Sequence, residues 1–282
     1  MIKKHFVFSY TNILTREIEK KKYLSFIRKI FTLLYKLIIN TFKKNLGHIQ
    51  NLDKKVSFEY KNFPLGKLFN IFNCDKGDTL LINKDKSLKT HNYTIFYEKY
   101  FNTLKNKKLR VLELGSHEGK GLAAFYYFFP NSNLVGANIN PFQMKFYSKR
   151  IEEIYIDVSS KKILQNFSEY FNKNFDIIID DASHNLKDIL ITLPILFKKL
   201  NPGGYYVIED SKLEDLIVTD SIAPRISHNK VKVLSFGCEN FNISLNELTK
   251  FLILFGPISF RLFMPSDSRM KLKYLLISES YA

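Results

Sequence analysis

The chain of 282 residues carries 43 Lys and Arg against 27 Asp and Glu, a formal charge of +16, and 45% of it is apolar, with 26 Phe, 16 Tyr and no Trp. That length admits one large domain, or a domain of roughly 200 residues with an extra segment, and the apolar share suffices for a sizeable core. Two cysteines, Cys74 and Cys238, exclude a disulfide framework and a zinc site, and with no signal peptide in view the expected setting is a reducing cytoplasm.

The charge is unevenly placed. Residues 1–50 hold eleven Lys and Arg against Glu17 and Glu19, a net +9. Such asymmetry points to an anionic surface, and without an RNA-binding signature a membrane is favoured over nucleic acid. Tyr23–Lys44 is predicted as a helix with a polar stripe of Ser25, Arg28, Lys29, Thr32, Lys36, Asn40 and Lys43. Leu24, Ile27, Ile30, Phe31, Leu34, Ile38 and Phe42 fall on the other side. The first expectation for this apolar face is packing on its own domain or in a homo-oligomer. The second is peripheral contact of residues 20–45 with the inner membrane surface. Arg28, Lys29 and Lys36 argue against a span, and Gly47 is the predicted helix stop. Residues 1–67 are therefore expected to be a basic N-terminal helical extension, and residues 68–282 the main domain.

Residues 51–108 begin as a connecting segment, pass an exposed loop at Asn83–Asn92 and end in a helix over Tyr93–Leu104. From Leu109 the pattern alternates. Strands are predicted at Arg110–Leu114, Leu134–Asn138, Ile154–Ile156, Phe175–Asp180 and Tyr205–Glu209. Helices are predicted at Lys120–Phe129, Pro141–Arg150, Ile163–Phe171 and Leu186–Leu200, with Asn201-Pro-Gly-Gly as a stop and turn. The fold class is α/β, a doubly wound, mostly parallel sheet. Beyond Asp210, a helix at Leu245–Phe255 precedes strands Ile258–Met264 and Lys271–Glu279. The short turn at Pro265 would make these two an antiparallel edge hairpin.

Three strands end in carboxylates: Glu113, then Asp180 and Asp181, then Glu209 and Asp210. Ligands of open α/β sheets bind at the carboxyl ends of strands, so these groups converge on one crevice. The turn Glu113-Leu-Gly115-Ser116-His117-Glu-Gly119-Lys-Gly121 sits where a nucleotide-binding loop belongs, although His117 breaks the dinucleotide Gly spacing, which disfavours a dehydrogenase. Asn138 holds the ribose position and can bond a hydroxyl pair, while Asp157 after the third strand is a candidate acceptor for an adenine amino group. Asp180-Asp181-Ala-Ser-His184 is more specific, because adjacent buried acids repel and require partners. Asp181, Glu209 and Asp210 suit a hard divalent cation such as Mg²⁺, and His184 suits a general base.

At these residues the chain resembles class I S-adenosylmethionine-dependent methyltransferases, and within them the metal-dependent sugar O-methyltransferases of the mycinamicin and macrocin type. The runs IDDASH and LFKKLNPGGYYVIEDS carry the likeness, as do Cys74-Asp75-Lys76-Gly77 and His91-Asn-Tyr93-Thr-Ile-Phe-Tyr97, over about residues 68–211. The resemblance implies a Rossmann-like methyltransferase fold using S-adenosylmethionine and Mg²⁺ on a small-molecule or glycan acceptor. It implies Asp181, Glu209 and Asp210 as metal ligands and His184 as base. Glu113, Gly115, Ser116, His117 and Gly119 would cradle the methionine end, with Asn138, Asp157 and Asp180 completing the cofactor site; the family usually has Asp where this chain has Asn138. The alternative reading is a non-catalytic scaffold with the same fold that binds membrane or nucleic acid.

Overall fold

The computed structural model describes residues 4–45, 47–54, 58–77, 93–140 and 143–210, with the backbone of two further strands. The main-domain elements are α3 (Leu65–Ile71), α4 (Thr94–Phe101), β2 (Arg110–Leu114), α5 (Lys120–Phe128), β3 (Asn133–Asn138), β5 (Ile151–Tyr155), α6 (Lys161–Tyr170), β6 (Phe175–Asp180), α7 (Leu186–Leu196) and β7 (Leu200–Ile208). Two short strands, β1 (Gln50–Asn51) and β4 (Phe146–Tyr147), pair apart from the main sheet, and β8 (Lys232–Phe241) and β9 (Leu272–Ile277) extend it. Among the described residues the sheet has seven strands in the order β5-β3-β2-β6-β7-β8-β9, parallel throughout except for β9 against β8. The edge is antiparallel, but it is formed by β9 on β8 and not across the short Pro265 turn that the predicted hairpin used. The predicted helix Leu245–Phe255, the strand Ile258–Met264 and the loop Asn83–Asn92 lie outside the described residues.

Both faces of the sheet are covered, which is why its central strands read as unbroken apolar runs. On one face α3, α4 and α5 enclose Val111, Leu134, Ile177, Ile179 and Val207. On the other, α6 and α7 enclose Leu112, Val135, Ile178, Tyr206 and Ile208. Leu52, Leu65 and Leu68 belong to the first of these cores, so the packed domain recruits chain from before residue 68.

The structure corrects one predicted element. Described residues of Pro141–Arg150 do not form a helix; they run extended through β4, whose backbone bonds across to β1. Gln50 N–H donates to the Lys145 carbonyl at 2.8 Å, Leu52 N–H to that of Tyr147 at 3.0 Å, and Lys145 N–H to that of Glu118 at 2.9 Å. Asp53 then accepts from the Ser148 hydroxyl and the Lys149 N–H, both at 2.7 Å. These long-range partners replace the i→i−4 bonds that local propensity favours. A smaller difference is that β7 starts at Leu200, with a register irregularity opposite Phe175–Ile177 where the Asn201-Pro-Gly-Gly run lies.

The N-terminal extension holds two helices, α1 (Lys4–Glu19) and α2 (Tyr23–Asn45). Gly47 follows α2 with φ +76°, the left-handed conformation of a helix stop. α1 docks on the open edge of the sheet: the Ser9 hydroxyl accepts from Tyr155 N–H at 2.9 Å, and Asn166 donates to Asn12 at 2.8 Å. Ile13 and Leu33 close a small apolar cluster over Tyr155 and Ile163. Ile13→Ala should therefore cost about 2–3 kcal/mol of stability by leaving a cavity. Denaturant unfolding measures this, and an unchanged midpoint would mean that α1 is not part of the folded unit.

Candidate active site

The carboxyl ends of β3, β2, β6 and β7 are stitched together by backbone bonds. Gly115 N–H donates to the Ala137 carbonyl at 2.8 Å, Asp181 N–H to that of Leu114 at 3.1 Å, and Glu209 N–H to that of Asp180 at 3.0 Å. The β2 turn and the β6 end approach so closely that a Cβ on Gly115 (φ +80°) would lie 1.9 Å from the Asp181 carbonyl oxygen. Only glycine meets both demands. Gly119, at φ +76°, then starts α5.

The carboxylates separate by face, as the alternation along a strand requires. Asp180 turns to the α7 side, where the Tyr206 hydroxyl donates to it at 3.3 Å, and burial pushes its carboxyl up to about 6. Asp181 and Glu209 turn to the other side and meet Lys76. The Lys76 ammonium, 3% exposed, lies 2.5 Å from Asp181 Oδ2, 2.6 Å from Glu209 Oε2 and 3.8 Å from Glu113 Oε1. Burial alone would depress this ammonium. The pull of Asp181, Glu209 and Glu113 outweighs burial and holds it charged, well above the ordinary lysine value. The Tyr97 hydroxyl donates to Glu209 Oε1 and that of Tyr93 to Asp210 Oδ1. Asp210 adopts φ +53°, a strand-end distortion that keeps it on the same side as Glu209.

Among the described residues, Asp181, His184 and Asp210 form a group of potential metal ligands, each offering one atom within 4.8 Å of the others. His184 Nε2 is 3.7 Å from Asp181 Oδ1, and its Nδ1 is 3.4 Å from the Glu209 carbonyl oxygen. A carbonyl can only accept, so this contact assigns the proton to Nδ1 and leaves the Nε2 lone pair open. Of the three acids foreseen as a metal set, Asp181 and Asp210 stand beside His184, while Glu209 belongs to the same cluster with its oxygens already bonded to Lys76 and Tyr97.

The Gly-rich turn that follows β2 shows two unmet demands. Glu113 Oε2 and Ser116 Oγ are buried without a hydrogen-bond partner. Burial raises the Glu113 carboxyl to about 7, with Lys76 countering the shift. A Cβ at Gly121 would stand 2.5 Å from Glu113 Oε1, so the glycine makes room for this side chain. His117 is exposed, with φ +42°. Asn138 closes β3, its amide 3.4 Å from Gln143. Asp157 is bound from the N-terminal extension: Arg16 Nε donates to its Oδ2 at 2.6 Å, and Ser159 N–H and Oγ donate to Oδ1 at 3.1 and 2.5 Å. Burial would raise its carboxyl, but these bonds hold it below the usual carboxylate range. Lys76, Tyr93 and Tyr97 were given no role from the sequence. Their signal was present in the two short motifs ahead of the first strand, but nothing local ties those motifs to residues more than a hundred positions later.

A family model described as a methyltransferase domain matches residues 105–256. Mycinamicin VI 2''-O-methyltransferase of Micromonospora griseorubida is 32% identical over 127 residues, 43% of this chain and 31% of its own length. Demethylmacrocin O-methyltransferase of Streptomyces fradiae is 31% identical over 127 residues, 43% of this chain and 32% of its own. The chain thus spans about a third of the length of these curated relatives. A solved structure of the MycE methyltransferase from the mycinamycin biosynthetic pathway, in complex with Mg and SAH, shares 28% identity and a TM-score of 0.45, over 52% of this chain and 39% of that one.

Two variants test the electrostatics. Lys76→Met strands Asp181 and Glu209 without their counter-ion and should cost about 3–5 kcal/mol of stability, read by denaturant unfolding. Glu113 is raised to about 7 in the fold against an ordinary 4.5, so the folded state holds the extra proton and stability falls as pH rises through that window. Between pH 4.5 and 7.5 the wild type should therefore lose roughly 3 kcal/mol more than Glu113→Gln. Parallel stability curves would remove Glu113 from the buried cluster.

Proposed function

Because this chain belongs to the methyltransferase-domain family, we propose that it is a metal-assisted O-methyltransferase transferring a methyl group from S-adenosylmethionine to a hydroxyl of a sugar or glycan-type acceptor. The observation that carries this reading is the convergence of an acid-rich cluster and His184 beside a cofactor turn with two buried, unpartnered polar atoms, Glu113 Oε2 and Ser116 Oγ. The relatives named above are by name O-methyltransferases of mycinamicin VI and of demethylmacrocin, which supports methyl transfer to a hydroxyl.

The residues fit both groups. One ammonium, Lys76, faces three carboxyl groups, Glu113, Asp181 and Glu209, a surplus of oxygen donors that suits a divalent cation and the sulfonium and ammonium of the cofactor. Glu113 and Ser116 would bond the methionine end, with Gly115, His117 and Gly119 shaping the turn. The helix dipole at the start of α5 favours its carboxylate. Asn138 would take the ribose hydroxyls, Asp157 would border the adenine, and Asp180 would hold the floor of the crevice.

Asp181 and Asp210 would hold Mg²⁺, joined by Glu209, whose oxygens keep spare lone pairs after bonding Lys76 and Tyr97. Bound there, the cofactor would supply an electrophilic methyl and the cation would make the acceptor hydroxyl more acidic. His184 Nε2 accepts the acceptor's proton while its Nδ1–H stays anchored on the Glu209 carbonyl, and Asp181 stabilises the imidazolium that results. Alignment of the two reactants within the crevice supplies most of the remaining acceleration. Adjacent sugar hydroxyls suit a cation that keeps exchangeable positions.

Calorimetric titration tests the assignment. S-adenosylmethionine and its demethylated product should bind with micromolar affinity, and the heat of Mg²⁺ binding should vanish in Asp181→Ala while cofactor binding survives. Absence of cofactor binding with Mg²⁺ and with EDTA would overturn the enzyme reading in favour of a scaffold.

A further inference from the structure

The extension carries a surface that the site does not use. α2 presents three arcs. Phe26, Ile30 and Leu33 face inward, and Leu33 packs with Ile13, Tyr155 and Ile163. A second arc is apolar and bare: Leu24 is 87% exposed, Phe31 68% and Phe42 60%, and Ile27, Tyr35 and Ile38 are also exposed. These positions recur every three or four residues and so form one continuous strip along the helix. The third arc is basic, with Arg28 and Lys43 exposed beside the strip.

We infer that α2 is a membrane-interface helix that docks this protein on an anionic lipid surface. A strip of this size left in water marks an interaction site. The charge identifies the partner. Tyr23–Asn45 contains Arg28, Lys29, Lys36, Lys43 and Lys44 and no acid, and Lys20, Lys21 and Lys22 precede it. Apolar side chains with a basic flank suit the boundary between acyl chains and anionic headgroups, as on the inner leaflet. A second copy of the chain suits it poorly, because pairing the strips would bring two basic flanks together. Among the described residues no helix is long and apolar enough to cross a membrane, so the helix lies on the surface. α1 ties α2 to the domain through Ser9, Asn12, Ile13 and Arg16, so the whole fold would be held at the bilayer.

The test is flotation of the full chain with phosphatidylcholine vesicles, with and without phosphatidylglycerol. The wild type should bind the anionic vesicles and release them in high salt. Ile27→Asp/Phe31→Asp and Arg28→Glu/Lys43→Glu should each weaken binding at least tenfold, with unchanged thermal unfolding because these side chains are exposed. Failure to bind anionic vesicles overturns the inference, as does binding that neither double variant weakens. A dimer in sedimentation velocity, without vesicle binding, that Ile27→Asp/Phe31→Asp dissociates would hand the strip to a second copy. None of these outcomes touches the calorimetric test of the active site.

Discussion

A single buried ammonium organises the acidic end of this sheet. Asp181, Glu209 and Glu113 arrive from three different strands, and without Lys76 their mutual repulsion and lost hydration would oppose burial. With it, Asp181 and Glu209 are held in fixed positions, and Tyr97 and Tyr93 fix the remaining oxygens of Glu209 and Asp210. Three carboxyl groups thus share one ammonium in the interior.

Much of this was legible from the chain itself. Strands such as FDIIID are apolar on both faces because helices cover both, and the acids that end them stand where an open sheet binds ligands. Reasoning failed where long-range partners overrode local preference. Pro141–Arg150 has a helical composition but gives its backbone bonds to β1 and to the turn after β2. Lys76 is one lysine among many, and its role depends on acids 105 and 133 residues later in the chain.

The N-terminal extension joins the two expectations raised for it. Its helices do pack on the domain, through α1 and the inner arc of α2, and the outer arc of α2 remains apolar and bare. Periodicity alone could not separate these uses, because a helix with a wide apolar face can serve both at once. The Arg16–Asp157 pair sets the extension beside the end of β5, so the basic segment and the proposed cofactor crevice share a wall.

The span of these contacts also bears on how the site comes into being. The bonds from Lys76, Tyr93 and Tyr97 close sequence separations of 105 to 133 residues. Non-local contacts of this kind form late in folding, because chain entropy must be lost before they stabilise anything. During synthesis the ammonium leaves the ribosome long before the acids that neutralise it. The crevice therefore cannot preexist in a nascent fragment, and its acidic character emerges only when the strand ending at Ile208 has joined the sheet.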